Sequence, residues 1–211
     1  MGSSKSLLIT FEGGEGCGKS TQARALYHRL LKLAIPAILT HEPGVTPVGK
    51  RLSRCLKWAQ GTEISPVTEL MLFNASRAQL VAELIQPSLK ADKVVICDRF
   101  ADSTTAYQGY GRGLDLATVK AVNNIAMQGI SPNLTILLDI PVEAGLARKR
   151  AKQQDRFEQE DIAFHRRVRE GYLKLAASEP ERWLVVDARQ GKAKIAGIIW
   201  ERVEKLLVEQ D

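Results

Sequence analysis

Gly13-Gly14-Glu15-Gly16-Cys17-Gly18-Lys19-Ser20 is the stretch on which the reading of this chain turns. It fits G-x-x-x-x-G-K-[ST], and it lies directly between an apolar run, Leu7 to Phe11, and a helical period that begins at Lys19. At ordinary residue frequencies the string alone arises in about one chain in a hundred of this length. Glycines let successive backbone N–H groups converge on an anion, and the helix N-terminus adds a favourable dipole. Lys19 would neutralise β- and γ-phosphate charge and the Ser20 hydroxyl would ligate Mg²⁺. Gly13 to Ser20 together with Thr21 are the expected ATP-binding residues, although the loop alone does not separate ATPases, GTPases and kinases. A turn that only joined strand to helix would need neither Lys nor Ser at these places. Cys17 sits where a helix N-terminus lowers a thiol pKa, but it reads as a small filler of the loop.

Outward from this loop, short apolar runs alternate with amphipathic helical patterns. Ala23, Leu26, Tyr27, Leu30, Leu31 and Ala34 share one helical stripe, with Pro36 as its stop. Strands are expected at Ala37 to Thr40, Val94 to Cys97, Leu134 to Leu138 and Trp183 to Val186. Helices are expected at Val48 to Trp58, from about Pro66, after an Asp115 N-cap, at Val142 to Arg150, at about Glu158 to Ala177 and at Lys192 to Val208. The pattern predicts an α/β fold: a P-loop NTPase-type parallel sheet flanked by helices, residues 1–211 forming one domain.

Composition limits the alternatives. The chain has 211 residues, 45% hydrophobic and 26% charged, as expected of a globular domain with a sizeable core. Cys17, Cys55 and Cys97 are odd in number and lack CxxC spacing, which fits a reducing compartment rather than a disulfide framework or zinc knuckle. No apolar run approaches the roughly 20 residues of a membrane span, and the start of the chain lacks a signal-peptide plan, so the expected location is cytoplasmic. Met1-Gly2-Ser3-Ser4-Lys5-Ser6 matches the loose N-myristoylation pattern, but Leu7 starts the fold at once and the stretch reads as a short polar leader. The net charge of +6 calls for an anionic partner: nucleic acid, a membrane surface or a phosphorylated metabolite.

Two further elements choose among these. There is no N-K-x-D string and no D-x-x-G switch, which argues against a GTPase. Val94-Val95-Ile96-Cys97-Asp98-Arg99 instead ends a buried strand in an acid followed by an arginine. Asp98 can hold a Mg²⁺-bound water and Arg99 can fork onto a phosphate. Arg148-Lys149-Arg150-Ala151-Lys152, followed by Arg156, reads as a lid spanning about 148–157 that brings arginines to the γ-phosphate.

Through these residues the chain resembles bacterial thymidylate kinase of the lid-arginine class over nearly its whole length. The carriers are Glu12 to Ser20, His41-Glu42-Pro43-Gly44-Val45-Thr46, Leu72 to Leu80, Asp98-Arg99-Phe100-Ala101-Asp102-Ser103-Thr104-Thr105-Ala106-Tyr107-Gln108-Gly109, and Asp155-Arg156-Phe157-Glu158. The resemblance implies phosphoryl transfer from ATP, with Mg²⁺, to dTMP, by a homodimer. It also implies that Glu15 meets the deoxyribose 3′-hydroxyl and that Arg51 and Arg99 clamp the acceptor phosphate, with Glu42 and Pro43 beside them. Phe73 would stack on thymine, Arg77 would donate to O4, Thr104 and Gln108 would complete the base edge, and Tyr107 would crowd a 2′-hydroxyl. Lys19, Arg99, Arg148, Arg150 and Arg156 are the expected catalytic cations.

Two positions depart from the family. The pattern R-E-P-G-G-T becomes His41 to Thr46, with histidine first and Val45, a residue costly at positive φ, in place of the second glycine. The rivals are a P-loop kinase for another nucleoside monophosphate, a noncatalytic nucleotide-binding subunit and a DNA-stimulated ATPase. For the last, the chain offers no basic strip interleaved with aromatics. The charge itself is local: Lys50 to Lys57 hold four cations and no acid, Arg148 to Arg156 five cations and one acid, and the remainder 21 cations against 23 acids. Nucleotide phosphates, rather than nucleic acid or membrane, are the expected partners.

Overall fold

A computed structural model describes residues 6–58, 63–149 and 155–208. Five parallel strands, β1 (Leu7–Glu12), β2 (Ala37–His41), β3 (Val94–Asp98), β4 (Leu134–Asp139) and β5 (Trp183–Asp187), form one sheet in the order β2-β3-β1-β4-β5. β1 and β3 are buried along nearly their whole length, as their continuous apolar runs require. Helices α1 (Lys19–Lys32), α2 (Pro47–Trp58), α3 (Pro66–Leu80), α4 (Gln86–Lys90), α5 (Ala101–Thr104), α6 (Leu116–Met127), α7 (Val142–Ala147), α8 (Ile162–Ser178) and α9 (Lys192–Val208) complete the described chain.

Alternation along the strands divides the core. Leu7, Ile9 and Phe11 of β1 face Leu26, Leu30, Ile199 and Val203 of α1 and α9. Leu8 joins Leu80, Val81 and Phe100 on the opposite side. Asp98 lies in register with Phe11 on one side and His41 on the other, so β1, β2 and β3 end together. The order reverses around β1, and the crevice at the carboxyl ends of such strands is where this architecture binds ligands.

Several boundaries differ from the sequence pattern. The long pattern from Pro66 is α3 capped by Ser65, then a π-turn at Val81–Ile85, then α4. The expected helix at Val142 to Arg150 ends at Ala147, and Arg150 and the rest of 150–154 lie outside the described residues, as does the leader at 1–5. Asp155 Oδ1 accepts from the N–H groups of Phe157 and Glu158, which makes a turn where helix was expected, and α8 starts only after its Asp161 N-cap. Residues 101–111 carry no local helical signal, because Ser103, Thr104, Thr105, Gly109 and Gly111 are weak helix formers. They form α5 and a π-turn at Thr105–Gly111 held by packing: a side chain at Gly111 would meet Phe164 of α8 at 2.7 Å. Val45 avoids the expected strain, since it is Gly44 that takes φ 105°.

Candidate active site

The glycine-rich loop runs from β1 into α1. Gly16 adopts φ 67°, and a Cβ on it would lie 2.0 Å from the Gly145 carbonyl oxygen of α7. A Cβ on Gly145 would in turn lie 2.3 Å from the Glu15 carbonyl oxygen. Backbone therefore rests on backbone, and the position after Glu15 is closed to any side chain. Lys19 is buried and its Nζ donates to the carbonyls of Gly13 (3.0 Å) and Gly14 (2.8 Å). Cys17 is buried in the loop at 3.4 Å from the same nitrogen. Ser20 Oγ donates to Asp98 Oδ2, joining the first turn of α1 to the end of β3.

Around this loop is an open cleft of about 1700 Å³ lined by Gly16, Gly18, Lys19, Ser20, Thr21 and Asp98, with His41, Arg148 and Lys149 on its far walls. Arg148 is exposed and its Nη1 donates to the Ala188 carbonyl at 3.3 Å. Among the described residues no cluster of three or more His, Cys, Asp or Glu could hold a metal ion. A hydroxyl and a carboxylate meeting at the mouth of the loop nonetheless suit Mg²⁺, a hard cation that takes one or two protein oxygens and completes its shell from phosphates and water.

Arg99 joins this cleft to a second cavity. Its backbone has φ 70°, a conformation that costs about 1–3 kcal/mol outside glycine. Two bonds hold it there: Arg99 N–H to the Phe11 carbonyl (2.9 Å) and Phe100 N–H to Glu12 Oε1 (2.7 Å). The guanidinium pairs with Glu15 at 2.6 Å, reaches the Gly13 carbonyl at 3.3 Å and lies over the Tyr107 ring. Burial favours neutral Glu15, but Arg99, Lys19 and Lys149 outweigh it and hold the carboxyl well below its usual range. Tyr107 donates its hydroxyl to Glu15 at 2.8 Å, and burial pushes that phenol well above its ordinary pKa. Burial and the Asp102 charge push Glu12, beneath Arg99, up to about 7.

The second cavity is partly open to solvent and spans about 460 Å³, the solvent at its mouth included. Phe73 of α3, and Tyr107 and Gln108 of the π-turn, line it together with Glu42, Pro43, Arg77 and Thr104, and Glu15 and Arg99 close the end nearest the loop. Arg77 is 1% exposed, and each arm of its guanidinium is engaged. Nε bonds Glu42, Nη1 bonds Asn74 and Asn123, and Nη2 bonds the Phe100 carbonyl and Thr104 Oγ1. Burial raises the Glu42 carboxyl pKa in spite of this partner.

The structure thus brings nine of the ten expected acceptor-site residues to one cavity. The tenth, Arg51, is exposed on α2 and lines neither cavity. Arg156 also stands apart from the glycine-rich loop, its Nη2 2.6 Å from the buried Glu69 carboxylate. Lys149, Lys57, Ser103, Asp155 and Phe157 also belong to the walls; the sequence places them in basic stretches or family strings without giving any of them a contact of its own. Lys149 bridges Glu15 at 2.9 Å and Glu158, a partnership that a run of basic letters does not announce. Phe157 packs at 5.5 Å from Phe73, and only its place in the Asp155 to Glu158 string marked it.

The sequence profile of the thymidylate kinase family matches residues 11–197. The chain belongs to the thymidylate kinase family. It is 54% identical over 202 residues to a thymidylate kinase of Dehalococcoides mccartyi, covering 96% of this chain and 97% of the relative. A thymidylate kinase of Geotalea uraniireducens is 47% identical over 208 residues, with 95% and 98% covered. The crystal structure of thymidylate kinase from Ehrlichia chaffeensis superposes with a TM-score of 0.75 at 31% identity, covering 96% of this chain and 99% of that one. In this family member no helix among the described residues is long and apolar enough to cross a membrane.

Proposed function

We propose that this thymidylate kinase family member transfers the γ-phosphoryl group of ATP to the 5′-phosphate of dTMP, giving ADP and dTDP. The observation that carries this reading is the junction at Glu15 and Arg99, where a cavity shaped for one nucleoside opens onto a loop built for another nucleotide's phosphates. A phosphate oxygen of dTMP forms the new bond to the γ-phosphorus while the bond to the β,γ-bridging oxygen breaks and ADP leaves. The acceptor is already an anion, so the site needs alignment and charge neutralisation rather than a strong base.

In this reading Phe73 stacks on thymine, Thr104 and Gln108 meet its polar edge, and Arg77, whose N–H groups are all bonded to the protein, would have to share one of them with O4. Glu15 accepts from the 3′-hydroxyl, and Tyr107, whose hydroxyl already contacts Glu15, fills the place a 2′-hydroxyl would need. Arg99 and Arg51 hold the acceptor phosphate, with Glu42 and Pro43 shaping the wall below it. Lys19 and the lid cations Arg148 and Arg150 act on the transferring group, whereas Arg156, expected among them, is held by Glu69 away from the loop. Ser20 and, through water, Asp98 would hold Mg²⁺, which when bound would supply positive charge to offset that of the donor phosphates. Residues 1–211 work as one unit with a lid at about 148–157, in the cytoplasm. Val67 and Met71 of α3 and Ile125 of α6, at 53%, 50% and 78% exposure, offer an apolar face suited to a second copy in a homodimer.

Incubation with MgATP and each of dTMP, dUMP, dCMP, AMP and GMP, followed by ADP release, tests the reading. The expected result is highest kcat/KM with dTMP. Faster turnover with another monophosphate, or ATP hydrolysis that needs no monophosphate, would overturn it.

A further inference from the structure

Gln108 owes its orientation to a residue outside both cavities. Glu69 of α3 is completely buried, and its Oε1 accepts from Gln108 Nε2 at 2.7 Å and from Arg112 Nε at 3.2 Å. Its Oε2 accepts from Arg112 Nη2 at 3.3 Å and from Arg156 Nη2 at 2.6 Å. A carboxylate gripped by two guanidiniums offers acceptors only, so the amide nitrogen must be the group facing it. A flipped Gln108 would set its oxygen against a carboxylate oxygen with no hydrogen between them, in a site where unpaired polar groups are costly. The other amide atom, Oε1, has no hydrogen-bond donor among the described residues, and Gln108 lines the nucleoside cavity.

We infer that Glu69 is a positioning residue for base selection: it locks the Gln108 amide so that the cavity presents an acceptor to the base edge. That acceptor matches the N3–H of thymine or uracil. It opposes cytosine, whose N3 is itself an acceptor. Thr104 complements it, because its oxygen accepts from Arg77 at 2.7 Å and its own proton remains to meet the neighbouring base carbonyl. Discrimination by a group that cannot turn away is the kind a buried polar site enforces. The inference rests on the dTMP reading and names the atom that selects the base.

Glu69→Gln is the test, because an amide there accepts either orientation of Gln108. Measured kcat/KM for dTMP, dUMP and dCMP should show the dTMP-over-dCMP preference falling at least about tenfold, the scale of one lost polar discrimination. The dUMP-to-dTMP ratio should not move, since both bases carry N3–H. An equal loss on all three substrates, or an intact preference, would overturn the inference. Should the variant fail to fold, the wild-type protein decides by NMR with dTMP bound. Gln108 amide protons should show contacts to Glu69 methylene protons, and contacts from them to the base would refute the locked orientation. Wild-type protein that transfers nothing to dTMP sinks the functional reading as well. Active wild type with unaltered selectivity in Glu69→Gln sinks only the role of Glu69.

Discussion

The nucleoside cavity and the phosphate cleft share Glu15 and Arg99, yet they satisfy their polar groups by different means. In the cavity, Arg77, Thr104 and Gln108 are at most 2% exposed and bonded to partners that do not belong to any substrate. Their geometry is fixed by the fold, so a base bound there, as proposed, would meet a surface that needs little reordering. In the cleft, the cations hold groups that resemble substrate: Lys19 on loop carbonyls, and Arg99 and Lys149 on the Glu15 carboxylate. Those bonds are exchangeable for phosphate oxygens. On the proposed reading, selection falls to the rigid half and the chemistry to the half whose cations can change partners.

The largest effect should come from removing a cleft cation. Lys19→Ala and Arg99→Ala should each lower kcat by about 10²–10³-fold while circular dichroism shows the fold intact, the usual cost of losing one preorganised charge. A near-wild-type kcat in either variant would break the division of labour. Gly16→Ala should follow: at φ 67° and 2.0 Å from the Gly145 oxygen, the added methyl must displace loop or helix. Its strain of about 1–3 kcal/mol should appear as a roughly 10–100-fold loss in kcat/KM for ATP, read by initial rates. Arg51→Ala sharpens the comparison at its edge. An exposed arginine that closes on the acceptor phosphate should raise the KM for dTMP about tenfold and leave that for ATP unchanged, the cost of one charge-assisted bond.

The smallest expected effect concerns pH. Glu12 titrates near 7 in the folded protein, above the ordinary 4.5, because burial and Asp102 oppose its charge. The folded state therefore holds a proton that the unfolded chain releases, and stability contributed by the neutral form declines as pH rises from about 4.5 to 7. Glu12→Gln keeps a carbonyl for the Phe100 N–H but cannot ionise. Thermal melts at pH 5 and 7.5 should show a smaller decline in this variant than in wild type, and parallel declines would refute the assignment.

Much of this was legible before any coordinates. The runs at β1, β3 and β4 are apolar on both faces, and the loop between β1 and α1 announces itself by residue type and by context. Asp98 and Arg99 were identifiable because a strand had just ended there. What escaped depends on partners distant in the chain. Residues 101–111 have poor helix propensity and become helical only against α8, so the turn that carries Tyr107 and Gln108 was invisible to local rules. Arg156 reads as one more lid cation until Glu69, 87 residues away, is seen to hold it. Glu69 itself looks like an acid in the first turn of a helix, a place where acids are ordinary. The family string pointed to Gln108 but could not say which amide atom faces the base, since that depends on a buried carboxylate in another element.

The most direct test of the central claim follows the label from γ-labelled MgATP in the presence of dTMP. The account predicts that it appears in the β-phosphate of dTDP with one ADP formed per dTDP. Label released as inorganic phosphate, or carried to another monophosphate in preference to dTMP, would contradict it.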